Sequence, residues 1–86
     1  MIFQHFTAGT AANIYPLKAK RVHITINAAL TGTIILSDET GTSGSPIVAT
    51  ITNPTVGLAF EYWGLNTGVC ITPSTTCDIT VSVETY

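Results

Sequence analysis

The sequence predicts an all-β fold: a single small antiparallel β-sandwich, jelly-roll or immunoglobulin-like, with about seven short strands and no significant helix. Three observations carry this expectation. Apolar residues recur at every second position through most of the 86 residues, the spacing that places alternate side chains on opposite faces of a strand. The runs are short and are interrupted at intervals of about 10 to 12 residues by clusters rich in Gly, Pro, Asn, Ser and Thr. No window shows the 3.6-residue recurrence that a helix needs.

The elements follow in chain order. "IFQHF" reads as a first strand, and "NIYPL" as a second, which Pro16 restricts to a sheet edge or a strand start because proline has no N–H for the ladder. In "RVHITIN", Val22, Ile24 and Ile26 face inward while His23, Thr25 and Asn27 face out. "GTIILSDE" runs Ile34, Ile35 and Leu36 together, as in a strand covered on both faces or touching a partner. "IVATIT" is expected to turn Ile47, Ala49 and Ile51 inward. "LAFEYW" sets Leu58, Phe60 and Tyr62 against Ala59, Glu61 and Trp63, and "CDITVSVETY" sets Ile79, Val81 and Val83 against its hydroxyl and acidic residues. "AGTAAN", "NAALTG", "DETGTSGSP", "TNPTVG", "GLNTG" and "TPST" supply the turns. With no repeat or linker, residues 1–86 form one domain.

Composition narrows the class. Charged residues make up 9% of the chain, against about 25% in an ordinary soluble domain, while 45% are apolar and sixteen are threonine. A surface built of hydroxyls and amides carries little self-repulsion and tolerates close contact with other subunits. The net charge of −2 argues against nucleic acid as a partner. The one basic cluster, Lys18, Lys20 and Arg21, suits a solvated strand entry. The first residues have no charged leader or cleavage context, so no signal peptide is expected and synthesis is assigned to the cytoplasm. No run of about 18 apolar residues suggests a membrane span.

Two cysteines lie near the end, seven positions apart across "TPST". If that segment is a hairpin loop, Cys70 and Cys77 face each other at a non-hydrogen-bonded pair, within reach of a disulfide. The alternative is two small buried thiols. Both readings stand at this point, with Cys77 sharing the inward parity of Ile79.

Residues that would carry catalysis are not grouped. No metal-binding His pair, phosphate loop, nucleophile elbow or paired-carboxylate motif occurs, so no catalytic residue, metal or cofactor is assigned and an enzyme is not expected. Asp38 and Glu39 in "SDETGTSGS" could wrap a calcium ion with loop carbonyls, but without the regular oxygen spacing of calcium loops they read first as a hairpin tip. Trp63 falls on the outer face by alternation, although a phase change at "WGL" would bury it.

The segments "LKAKRVHITINAALTGTIILSDETGTSGSPIVATITNP" and "GLNTGVCITPSTTCDITVSVETY" resemble small β-sandwich virion proteins of tailed bacteriophages and prophages. The likeness runs from Val22–Asn27 through Gly32–Asp38, Thr40–Ser45 and Ile47–Asn53 to Gly64–Glu84. "GVC" at the start of the last segment and the two cysteines depart from the pattern. The resemblance implies a virion structural protein, a capsid decoration or cement protein held by protein–protein contacts. Its partners would be major capsid or other virion subunits, and it would act as a homo-oligomer or in many symmetric copies. Head-fibre and tail components are neighbouring roles. A carbohydrate-binding or adhesin-like module using Trp63 and Tyr62 is the alternative. Outward parity nominates Trp63, Glu61, His23 and Ile35 as interface residues, with Ile2, Phe3 and Phe6 of the first strand.

Overall fold

The computed structural model describes all residues 1–86 and contains eight strands, one more than the turn spacing suggests. They are β1 (Ile2–Phe6), β2 (Ala12–Tyr15), β3 (Ala19–Ile26), β4 (Thr33–Ser37), β5 (Ile47–Thr52), β6 (Ala59–Leu65), β7 (Val69–Pro73) and β8 (Ile79–Thr85). Their pairing is that of one long hairpin whose tip is the β4–β5 turn. Outward from that tip β4 pairs with β5, β3 with β6, β2 with β7 and β1 with β8, all antiparallel. Rolling this ribbon adds the β3–β8 and β4–β7 contacts. The result is two four-stranded sheets, the first ordered β1-β8-β3-β6 and the second β2-β7-β4-β5. This is the strand order of a jelly roll.

Alternation explains the core. Val22, Ile24 and Ile26 of β3 and Ile79, Val81 and Val83 of β8 are buried from the first sheet, and Ile34 and Leu36 of β4 with Val69 and Ile71 of β7 from the second. Each fully buried aliphatic side chain contributes roughly 1.5–3 kcal/mol relative to exposure, which outweighs the weak local preferences of a chain rich in threonine. Pro16 does sit just beyond an edge strand, β2.

Interruptions of the alternation decide what reaches the surface. Tyr62 and Leu65 both turn inward, Tyr62 half-buried and Leu65 buried, with the exposed Trp63 and Gly64 between them. Gly64 takes φ +72°, a backbone state that side-chain-bearing residues avoid. The extra residue therefore falls after Trp63, and the phase change at "WGL" leaves the indole outside. A second irregularity, between Leu36 and Ser37 on β4, overturns the inward placement of Ile47. Leu36 aligns with Ala49 but Ser37 with Ile47, so Val48 is an additional residue and Ile47 is 57% exposed. Leu58 precedes β6 and is likewise exposed.

The hairpin around "TPST" does not form. β7 and β8 are consecutive but belong to different sheets, so the segment crosses between layers instead of folding back. It is pinned to the start of β4, where Ser74 N–H donates to Thr33 O at 2.8 Å and Thr33 N–H donates to Ser74 Oγ at 2.9 Å. Both cysteines are buried free thiols. Cys77 belongs to the core cluster and donates to the Ala8 carbonyl at 3.3 Å. Cys70 lies on the other side of the second sheet, aligned with Ser37 and Asn13.

Candidate functional site: the outer face of the first sheet

The outer side of the first sheet is built by register. Glu84, Arg21 and Trp63 align across β8, β3 and β6, and the next row runs Phe3, Ser82, His23, Glu61 from one edge of the sheet to the other. A third row is His5, Thr80, Thr25 and Ala59. Arg21 is the centre of charge: its Nε lies 3.2 Å from Glu84 Oε2, its Nη1 3.6 Å from Glu61 Oε1, and its guanidinium carbon 5.6 Å from the centroid of the Trp63 ring. Exposed pairs of this kind contribute little to stability, between zero and about 1 kcal/mol. They do fix the rotamer of Arg21, and the stacked guanidinium holds the indole against the sheet.

Large apolar surface brackets this centre, an arginine between two glutamates. Trp63 is 61% exposed on edge strand β6 and Phe3 68% on edge strand β1. At the lower corner His5 Nε2 donates to Asp78 Oδ1 at 2.5 Å, and the Asn27 amide reaches Asp78 Oδ1 at 3.3 Å and Thr80 Oγ1 at 2.9 Å. The His5 hydrogen bond first, then that from Asn27, holds the Asp78 carboxyl below its ordinary range. The face thus carries more carboxylates than cations and is aromatic at its edges, which suits it to contact with another protein surface.

The nominated interface residues divide. Trp63, Glu61 and Phe3 are exposed on this face and His23 is half-buried among them. Ile2 has inward parity opposite Val83 and is 41% exposed at the sheet edge. Ile35 is half-buried on the outer side of the second sheet, between Thr50 and Thr72, away from the others. Phe6 is not an interface residue: it has inward parity opposite Ile79 and is 4% exposed in the core. Tyr62 packs against the core behind Trp63, so the two rings occupy opposite faces and cannot form a shared sugar platform.

Part of the outer side of the second sheet is covered by its own loop. Asn13, Cys70 and Ser37 form a row across β2, β7 and β4, and Glu39 is tied to both ends of it. The Asn13 amide donates to the Glu39 carbonyl at 3.0 Å, and the Ser37 hydroxyl to Glu39 Oε2 at 2.6 Å. The same carboxylate accepts from Ser43 N–H and Oγ–H, both at 2.8 Å, and from the N–H groups of Gly44 and Ser45 at 2.7 and 3.0 Å. These donors, Ser37 first, outweigh the cost of burial and lower the Glu39 carboxyl to about 2. Asp38 points elsewhere. Burial opposes its ionisation, yet the N–H groups of Asn66, Thr67 and Gly68, at 2.9, 2.7 and 3.2 Å, hold its carboxyl below the ordinary range.

The calcium reading of "SDETGTSGS" therefore gives way to two carboxylates facing separate sets of donors. No three His, Cys, Asp or Glu residues come together in a geometry that could hold a metal ion. Sequence reasoning missed Glu39 as an internal anchor, although its flanking Ser37, Ser43 and Gly44 were the available signal. It also missed a surface groove of about 470 Å³ between Tyr15 and Tyr86, whose walls are too far apart in the chain for any local pattern to join them. No family model matches the chain, and neither does a curated protein or a solved structure.

Proposed function

We propose that this chain is a bacteriophage virion structural protein, most specifically a capsid decoration or cement protein that docks on shell subunits through the outer face of its first sheet. The observation that carries the reading is the row system around Trp63, Arg21 and Phe3, which brings two exposed aromatics and an arginine onto one face of a jelly roll. Low charge, a hydroxyl-rich surface and the sequence resemblance support it; jelly rolls are a common viral architecture, which by itself is analogy.

The mechanism is mechanical. The molecule measures 31 × 24 × 17 Å, and stacking of two sheets accounts for the thin axis. One broad face is then comparable with the roughly 800 Å² that a partner contributes to a standard interface. Trp63 and Phe3 would anchor opposite edges in apolar depressions of the shell, with Arg21 and its glutamates fixing register between them. A single such contact is modest, but many copies on a symmetric shell act together against subunit separation.

Electron microscopy and native mass measurement of particles purified from the source that carries the gene test the reading. Multiple copies bound on the head at symmetry-related positions are expected. A chain that stays monomeric and is absent from the particles contradicts it; copies confined to fibres or tails move the role within the virion.

A further inference from the structure

The groove of about 470 Å³ lies at the end of the sandwich and is lined by Tyr15, Leu17, Lys18, Asn66, Thr67 and Tyr86. Its size falls in the range of small-molecule sites, about 300–1,000 Å³. Two phenol rings and Leu17, 61% exposed, give it apolar walls. The Lys18 ammonium stands 5.2 Å from the Tyr86 ring centroid, a contact that does not neutralise the cation. The backbone beneath Asn66 and Thr67 is clamped by Asp38 through bonds of 2.9 and 2.7 Å. The side-chain amide of Asn66 and the hydroxyls of Thr67, Tyr15 and Tyr86 make no hydrogen bond within the chain, and Lys18 makes no ion pair. The groove is thus rigid at its floor and has its polar groups free.

We infer that this groove is a carbohydrate subsite that takes a neutral pyranose unit of a glycan. A pyranose has a flat C–H face that packs on an aromatic ring, and equatorial hydroxyls that both donate and accept. The Asn66 amide and the Thr67 and tyrosine hydroxyls likewise offer both donors and acceptors, and Lys18 adds donors. An anionic ligand would gain the Lys18 ammonium, but it would leave the groove's acceptors unused and would approach the ionised Asp38 that lies behind Asn66 and Thr67. The acidic sugar is therefore the disfavoured relative. This inference stands apart from the docking face, since none of the groove residues belongs to the rows around Trp63. A particle-bound copy would carry the groove as a second, weak attachment point for surface glycans.

The test is amide-resolved NMR titration of the intact chain with methyl glucoside, methyl galactoside and N-acetylglucosamine, and with glucuronate as the acidic control. At least one neutral sugar is expected to shift the amides of Lys18, Asn66 and Thr67 with a dissociation constant on the order of 1 mM. Asn66→Ala and Tyr86→Ala, both at exposed positions, should weaken that binding about tenfold or more while the thermal midpoint stays unchanged. Absence of shifts with all three neutral sugars overturns the inference. So do shifts centred on Trp63, undiminished binding by both folded variants, or glucuronate binding as tightly as the best neutral sugar.

Discussion

The two sheets share one alternation rule, yet their outer faces meet opposite fates. On the second sheet the outward residues Ser37 and Cys70 are both fully buried, because the Asp38–Pro46 loop folds back and spends the Glu39 carboxylate on its own Ser and Gly donors. On the first sheet Trp63 and Phe3 remain in solvent around an arginine held between two glutamates. One end of the second sheet's outer face is covered with polar contacts; the first sheet's outer face carries exposed Trp63 and Phe3. That contrast is the reason for assigning docking to the first sheet.

The comparison can be broken first at what the faces have in common. Ile24 on β3 and Ile71 on β7 are both fully buried in the shared core, so Ile24→Ala and Ile71→Ala should each lower stability in denaturant unfolding by about 2–5 kcal/mol. A large loss from only one of them would mean that the sheets do not share a core. Gly68→Ala probes the covered side. A β-carbon there would collide with the Glu39 carbonyl and stand 3.0 Å from the Tyr15 carbonyl, and the expected loss is about 1–3 kcal/mol; an unchanged midpoint would show that the loop is loosely seated.

Glu39→Gln sharpens the contrast through pH. The folded carboxyl lies at about 2 against an ordinary 4.5, so the fold favours the carboxylate. Its contribution is fully present above about pH 4.5 and disappears as the pH falls through about 2. Asp38 adds a contribution of the same sign. Acid unfolding of Glu39→Gln should therefore be less steep over that interval, and Cys70 should become open to a thiol reagent while Cys77 stays protected. Equal exposure of both thiols would indicate global unfolding instead of an opened loop. The smallest stability effect belongs to the open face: Trp63→Ala should change the unfolding free energy by no more than about 0.5 kcal/mol while removing the chain from assembled particles.

Much of the fold was legible because burial in a thin sandwich forces a period of two. The inward faces of β3 and β8 were readable, since Val22, Ile24, Ile26, Ile79, Val81 and Val83 leave no competing phase, although their ends were not. What escaped was non-local. Assigning Cys70 and Cys77 to a hairpin assumed that consecutive strands pair, whereas rolling a long ribbon sends every connection except β4–β5 across the layers. Ile47 failed because the extra residue on β5 is invisible until β4 is beside it. Within the site, Glu61 followed from parity, whereas parity left Trp63 open until Gly64 at φ +72° placed the phase change after the indole. Arg21 as the residue that joins them did not follow, because its glutamates come from two different neighbouring strands.

Trp63 is the chain's single tryptophan, so its fluorescence reports on the open face without labelling. In the free protein, acrylamide and iodide should quench it readily and the emission should be that of a hydrated indole. In particles that carry the chain, docking through the first sheet predicts a blue-shifted emission and loss of iodide quenching. An indole that remains as accessible on the particle as in solution would contradict the assignment of that face to docking.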